Sequence, residues 1–316
     1  MKKHLIILAF LPLFGFGQIK IGTFNGGIWS FQGGATYYTV YNPFAKSLFS
    51  RMDVEPTNVR KTLISNMIDS LQKYSIWDSL DVFYMFASHD SQSSLLNWKY
   101  NDFNATANNG VLFAVDTGYK GDGLNDYINS NYNASTDAIN YKLNSMSVGF
   151  YNRTNDLVDA NSYYGARDAS INASELTLRT AGKYNIRANS LIVQEADHNN
   201  YTSGLIVVRR IDSDTVGIYQ NGILIRETAN VNSTLIPDLD IYILALNNNG
   251  LEKQSTFNQF SMFFAGATLS VLQISKLFGL IESYLDELGI GVIGLAGGTV
   301  DFNEEIDFNI NISFGT

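Results

Sequence analysis

Two short stretches of the chain combine the residue types that sugar recognition uses. Asn161-Ser162-Tyr163-Tyr164, with Arg167 close behind, is one; His198-Asn199-Asn200-Tyr201 is the other. A tyrosine offers an apolar face to a sugar ring and a hydroxyl at its tip. Amides and a guanidinium supply donors and acceptors for sugar hydroxyls. Both stretches read as loops at one rim of a β-structure, and they are the candidate ligand-binding residues, although a chain with 18 tyrosines places some in loops by composition alone. Calcium is the cofactor the sequence leaves open. It needs roughly six to eight oxygen ligands, and Asp212-Ser213-Asp214 comes nearest, followed by Asp238-Leu239-Asp240 and by Asp122 with Asp126. None completes a known calcium loop, so each reads first as a solvated turn. Asp122 and Asp126 are expected to fix theirs by bonding to the backbone.

Catalytic chemistry is harder to find. His89 and His198 lie far apart and neither has a serine or carboxylate in a triad context. His89-Asp90-Ser91 reads as a polar turn. No HExxH, phosphate-binding loop or dinucleotide fingerprint occurs. The absence of cysteine excludes disulfides, a thiolate nucleophile and cysteine-ligated zinc.

The elements that must position these residues follow from composition and periodicity. The 316 residues are 45% hydrophobic and only 16% charged, enough for a sizeable core. A net charge of -9 disfavours a nucleic-acid binder, which works by neutralising phosphates. Residues 1–17 match a secretory signal: Lys2 and Lys3, an apolar run from Leu5 to Phe16, and small residues before a cut at Gln18. The chain is therefore expected to be secreted or displayed at a surface. A glycine-rich arm (18–40) comes next, then a helical lead-in (41–100). In the lead-in a short helix spans Phe44–Met52, and a longer one starts at Pro56 and carries Val59, Leu63, Ile64, Met67, Ile68 and Leu71 on one face. Trp77 and Trp98 read as packing residues, and Val82–Phe86 as a strand.

From about residue 111 the texture is β, in a sandwich domain assigned to residues 101–289. Runs such as Ser145–Tyr151, Ser174–Thr180, Gly204–Ile211, Thr215–Gln220, Ile223–Thr228, Asp240–Ala245 and Asn258–Ala265 are rich in β-branched and aromatic residues. Asn221-Gly222 predicts a type I′ hairpin. Without helical crossovers the sheet must be antiparallel, so the fold class is mainly β: a sandwich or jelly roll. A helix closes it, opened by a Ser270/Gln273 capping box and ended by Gly289, with Ile274, Leu277, Phe278, Ile281, Leu285 and Leu288 as its apolar stripe. The tail (290–316) alternates Phe302, Ile306, Phe308, Ile310, Ile312 and Phe314, and reads as an edge strand or subunit contact.

Several stretches in this order resemble the concanavalin A-like lectin/glucanase superfamily in its laminin-G-like branch: GDGLNDYI (121–128), SVGFYNRT (147–154), VVRRIDSDTVGIYQNGILI (207–225) and FFAGATLSVLQISKLFGLIESYLDELG (263–289). The lead-in segments VYNPFAKSLFSRM (40–52) and YSIWDSLDVFYMFA (74–87) resemble those of bacteriophage virion and prophage-encoded surface proteins. The run Phe-Gly-Phe-Gly-Gln (14–18) resembles signal peptides of Bacteroidetes-type bacteria. The resemblance implies a concanavalin A-like sandwich with a late hairpin and a covering helix. The superfamily includes glycoside hydrolases whose carboxylates follow Glu-x-Asp-x-x-Glu. Glu305-Ile306-Asp307 begins that pattern, but Asn309, Ile310 and Asn311 stand where the second glutamate should be. Hydrolysis needs two carboxyl groups. The resulting expectation is a non-catalytic lectin-like surface protein for a glycan or other surface ligand. The alternative is a virion decoration or receptor-binding protein, assembled as a homo-oligomer such as a trimer; a glycoside hydrolase comes last. The sequons at Asn104, Asn152 and Asn232 read as products of composition.

Overall fold

The computed structural model describes residues 40–155, 161–179, 182–198 and 201–293. The signal segment, the glycine-rich arm, most of the C-terminal tail with Glu305 and Asp307, and Asn199 and Asn200 lie outside the described residues. Two helices open the described chain, α1 (Pro43–Phe49) and α2 (Asn58–Lys73), before strand β1 (Leu80–Met85) and the one-turn helix α3 (Ser91–Ser94). Three short strands follow: β2 (Thr106–Asn108), β3 (Leu112–Ala114) and β4 (Gly118–Lys120). The longer ones are β5 (Tyr127–Asn133), β6 (Met146–Asn152), β7 (Ser162–Arg167), β8 (Ala173–Arg179) and β9 (Lys183–Ser190). Then come β10 (Gln194–Asp197), β11 (Gly204–Arg210), β12 (Val216–Gln220), β13 (Ile223–Thr228) and β14 (Asp240–Ile243). The chain ends in β15 (Leu246–Asn248), β16 (Leu251–Lys253), β17 (Gln259–Gly266) and helix α4 (Val271–Glu287).

These strands form two sheets, as expected for a mainly β sandwich. One has eight strands in the order β13-β12-β11-β6-β17-β4-β3, with β1 also paired to β17. The other has nine, in the order β10-β9-β8-β7-β14-β5-β2, with β15 on β7 and β16 on β15. Pairing is antiparallel apart from the short contact of β15 with β7. Val148, Phe150, Ile206, Val208 and Phe263 of the first sheet pack against Tyr132, Tyr164, Leu176, Ile186 and Ile243 of the second.

The sequence texture of the sheets follows from what covers them. The central strands of the eight-stranded sheet are buried on both faces, so β1, β6 and β11 are buried at every position. Its outer face carries Phe83, Tyr151, Val207, Tyr219 and Phe264, which pack against the helices. On α4, Ile274, Leu277, Leu280, Ile281, Tyr284 and Leu285 are buried, while Phe278 and Leu288 are only partly so. Each fully buried leucine stabilises the fold by about 1.5–3 kcal/mol. The predicted capping box is present, with Ser270 Oγ accepting from Gln273 N and Gln273 Oε1 accepting from Ser270 N. Trp77 and Trp98 belong to the same cluster, as their packing role requires.

Two details of the lead-in differ from expectation. The N-cap of α2 is Thr57, which places Pro56 before the helix. Val59 is 82% exposed, so the packed face is Ile64, Met67, Ile68 and Leu71. The boundary at residue 100 also cuts through the first sheet, because β1 is hydrogen-bonded to β17 along Leu80–Met85. The Asn221-Gly222 turn joins β12 to β13 with φ of +52° and +78°, as a type I′ hairpin requires.

Candidate ligand-binding face

The two predicted sugar loops do not both exist as loops. Tyr163 and Tyr164 lie on β7, not before it, and both rings are fully buried between the sheets. Strict alternation would send one of two adjacent side chains outward. A register shift between Ser162 and Tyr164 against β8 lets both point inward. Phe150 lies 5.1 Å from the Tyr163 ring and 6.0 Å from the Tyr164 ring. Neither tyrosine is a platform for a ligand, and the sequence stretch misled because two adjacent tyrosines among polar residues imitate a loop.

His198 is likewise buried, at 4% exposure, with its ring edge-on to Tyr184 at 5.3 Å. Tyr201 is the exposed ring of the second stretch, at 42%, and its carbonyl accepts from Gln220 Nε2 at 2.9 Å. The two stretches do meet at one end of the nine-stranded sheet. His198 N donates to Gly182 O in the β8–β9 turn, and Leu178 N donates to Asn161 O at the same end.

Arg167 is on the outer face of the nine-stranded sheet, opposite the core. Its Nε and Nη2 bond Glu175 at 2.9 and 2.6 Å, and Arg187 Nη1 bonds the same carboxylate at 2.5 Å. Alternation explains the placement: Leu176 and Leu178 of β8 enter the core, which turns Glu175 and Thr177 outward. Register sets Arg187 opposite Glu175 and Asn185 opposite Thr177. Next to this triad lie buried polar atoms without a hydrogen-bond partner among the described residues: Thr177 Oγ1, Asn185 Oδ1, Asn161 Nδ2 and Gln254 Oε1. Backbone bonds gather their residues at one corner, because Ser162 pairs with Thr177 and its N–H donates to Gln254 O at 2.7 Å. An unpaired buried polar group costs about 1–3 kcal/mol, so this corner stands out chemically. The sequence stretch at 161–167 touched it through Asn161 and Arg167 but missed Glu175, Thr177, Asn185 and Arg187. The alternation of polar residues along the predicted strand Ser174–Thr180 was a signal for Glu175 and Thr177, and no predicted strand covered Asn185 and Arg187.

Other acidic and imidazole candidates are spent on structure. Asp212 Oδ1 accepts from Asp214 N at 2.9 Å and from Thr215 N at 2.7 Å, and these backbone bonds hold its carboxyl below the usual range. Asp122 Oδ1 accepts from the N–H groups of Leu124, Asn125 and Asp126. Asp238 and Asp240 accept from Asn133 and Asn129, tying β14 to β5. His89 Nε2 meets Val54 O at 2.8 Å, and Asp90 caps α3. Asn152 is buried and bonded through Nδ2 to Thr202 O. Among the described residues no group of three or more His, Asp or Glu could hold a metal, and no helix is long and apolar enough to cross a membrane. A cavity of about 540 Å³ lies between α2 and the end of α4. It is an open groove lined in part by the Arg60–Asp116 pair at 2.6 Å.

No protein-family model matches the chain, and no curated protein matches it in sequence. Solved structures do resemble it. A mutant of Trypanosoma rangeli sialidase displaying trans-sialidase activity superposes with a TM-score of 0.50 at 12% identity, over 72% of this chain and 40% of that one. The botulinum neurotoxin serotype D binding domain gives 0.41 at 13%, over 65% and 52%. NanB sialidase of Streptococcus pneumoniae gives 0.34 at 16%, over 42% and 23%. The chain thus spans well under two thirds of each of these proteins. At such identities the first likeness concerns fold alone, and the other two are too distant to add to it. The molecule is a two-layer antiparallel β-sandwich with helices against one of its outer faces.

Proposed function

We propose that the chain is a non-catalytic, exported glycan-binding sandwich whose ligand meets the outer face of the nine-stranded sheet around β7, β8 and β9. The supporting observation is the corner where Thr177, Asn185, Asn161 and Gln254 carry unpaired donors and acceptors beside a charged triad. Hydroxyl and amide groups of both senses are what sugar hydroxyls pair with. Among the described residues, α1, α2 and α4 pack on the other sheet. Catalysis has no comparable support. Glu175 is held by two arginines, and the Glu305-x-Asp307 stretch lacks its second glutamate.

Glycan-array binding of the wild type and of Thr177→Val and Asn185→Leu tests the reading. A structural role predicts unchanged or raised melting temperature and unchanged binding, because an unpaired buried polar atom is removed. A ligand role predicts that loss of about tenfold or more in binding accompanies the unchanged or raised melting temperature. Retained full binding in both variants counts against this face. The particle-surface alternative uses the same sandwich; a closed trimer by native mass favours it, and a monomer argues against it.

A further inference from the structure

We infer that the ligand taken by this face is acidic, with Arg167 and Arg187 receiving a carboxylate or sulfate group of a glycan. The inference rests on the glycan reading above and names its substrate class. Two guanidiniums share one carboxylate, which leaves one positive charge in excess on a chain whose net charge is -9. Glu175 lies beneath them with 4% of its side chain exposed, while Arg167 and Arg187 retain 22% and 16%. A guanidinium carries five N–H donors. Arg167 commits Nε and Nη2 to Glu175, and Arg187 commits Nη1 to Glu175 and Nε to Leu191 O at 3.3 Å. Arg167 Nη1 and Arg187 Nη2 have no partner among the described residues and are not among the buried unpaired atoms. Glu195 stands opposite Asn185 on β10 but forms no ion pair with either guanidinium among the described residues.

An anion placed across the two guanidiniums would complete an arginine–carboxylate–arginine–anion arrangement. Its charge-assisted bonds are the strong ones in a partly desolvated site. Thr177 and Asn185 lie one register step along the same face, each at least nine-tenths buried, with Thr177 Oγ1 and Asn185 Oδ1 unpaired among the described residues. The acidic chain as a whole repels polyanions, so binding of one has to be local.

The test compares dextran, dextran sulfate and polygalacturonate as immobilised probes for the full chain in the presence of a chelator. Binding to an anionic probe is expected, sulfate and carboxylate being told apart by which arm responds, with dextran at least about tenfold weaker. Raising salt from about 50 to about 500 mM is expected to weaken the anionic arm severalfold, as screening shortens the Debye length. Arg187→Gln is expected to lower anionic binding about tenfold or more. Equal binding of dextran, or no effect of salt on the wild type, overturns the acidic assignment and leaves the glycan reading standing. The wild-type salt series decides this even if a variant fails to fold. Absence of binding to every probe, and to a neutral and acidic glycan array, sinks both.

Discussion

Glu282 lies on the face of α4 that packs against the sheet, fully buried, and accepts a short hydrogen bond from Tyr151 Oη. Burial pushes its carboxyl up to about 7, Asp286 adds to the rise, and the Tyr151 bond and Arg153 oppose it. Tyr151 Oη also receives Val292 N, and Arg153 Nη1 donates to Ile290 O at 2.6 Å, so the carboxyl sits under the chain leaving α4. An acid whose folded value exceeds its unfolded one stabilises the fold fully below the unfolded value. That contribution is lost as pH rises through the folded value. Stability should therefore decline between about pH 4.3 and about pH 7. Glu282→Gln keeps an acceptor for Tyr151 and removes the titration. The variant is expected to be more stable than the wild type by about 1–3 kcal/mol above pH 7 and to lose that slope, as urea unfolding across pH measures. Equal slopes in both proteins would show that Glu282 does not carry the effect. Nothing in the sequence marked this residue, since a glutamate in a helix is ordinarily solvated. Tertiary packing alone put it against Tyr151.

At the scale of elements, α4 was legible because its start and its stripe are both local: Ser270 and Gln273 are three residues apart, and the buried positions recur with the helical period. Ser270→Ala is expected to cost about 1 kcal/mol through loss of the bond to Gln273 N. In a domain of this size that lowers the melting temperature by about 2–4 °C, which calorimetry resolves. An unchanged melting temperature would mean that packing alone holds the helix start. The central strands of the eight-stranded sheet, β1, β6, β11 and β17, were legible for a different reason, namely that burial on both faces gives long apolar runs. β5 and β9 escaped notice because the positions facing away from the core hold polar residues, Asn129 and Asn131 in β5 and Asn185 and Arg187 in β9. A strand whose outer positions are written in asparagine looks like a loop.

For the whole molecule, the lead-in and the sandwich are one construction. β1 and β4 line up along the same edge of β17, and α1, α2 and α4 share a cluster with the outer residues of β6, β11, β12 and β17. Buried polar links reinforce this. Asp81 of β1 accepts from Asn140 N, Tyr141 N and Tyr132 Oη of the second layer, and Arg210 of β11 donates to Ala188 O of β9 and to Val231 O. Removing one partner of such a buried link costs several kcal/mol. A chain beginning at residue 101 loses β1, the Asp81 bonds and two of the covering helices. It is expected to be insoluble or to lack cooperative unfolding, as expression and far-UV circular dichroism would show. Cooperative folding of that fragment would return the lead-in to a separate unit.

Read alone, the order of residues determined what depends on near neighbours: the β-rich texture, the type I′ turn at Asn221-Gly222, the capped helix after residue 270 and the turn role of Asp122. Each is settled by φ preference, periodicity or a hydrogen bond spanning a few positions. What only the tertiary structure decided depends on partners far apart in the chain. The bulge that turns Tyr163 and Tyr164 both inward, the capture of Glu175 by two arginines, and the corner of unpaired polar atoms all arise from strand register. Register is set by which face of each strand meets the common core, and no single stretch of sequence carries that choice.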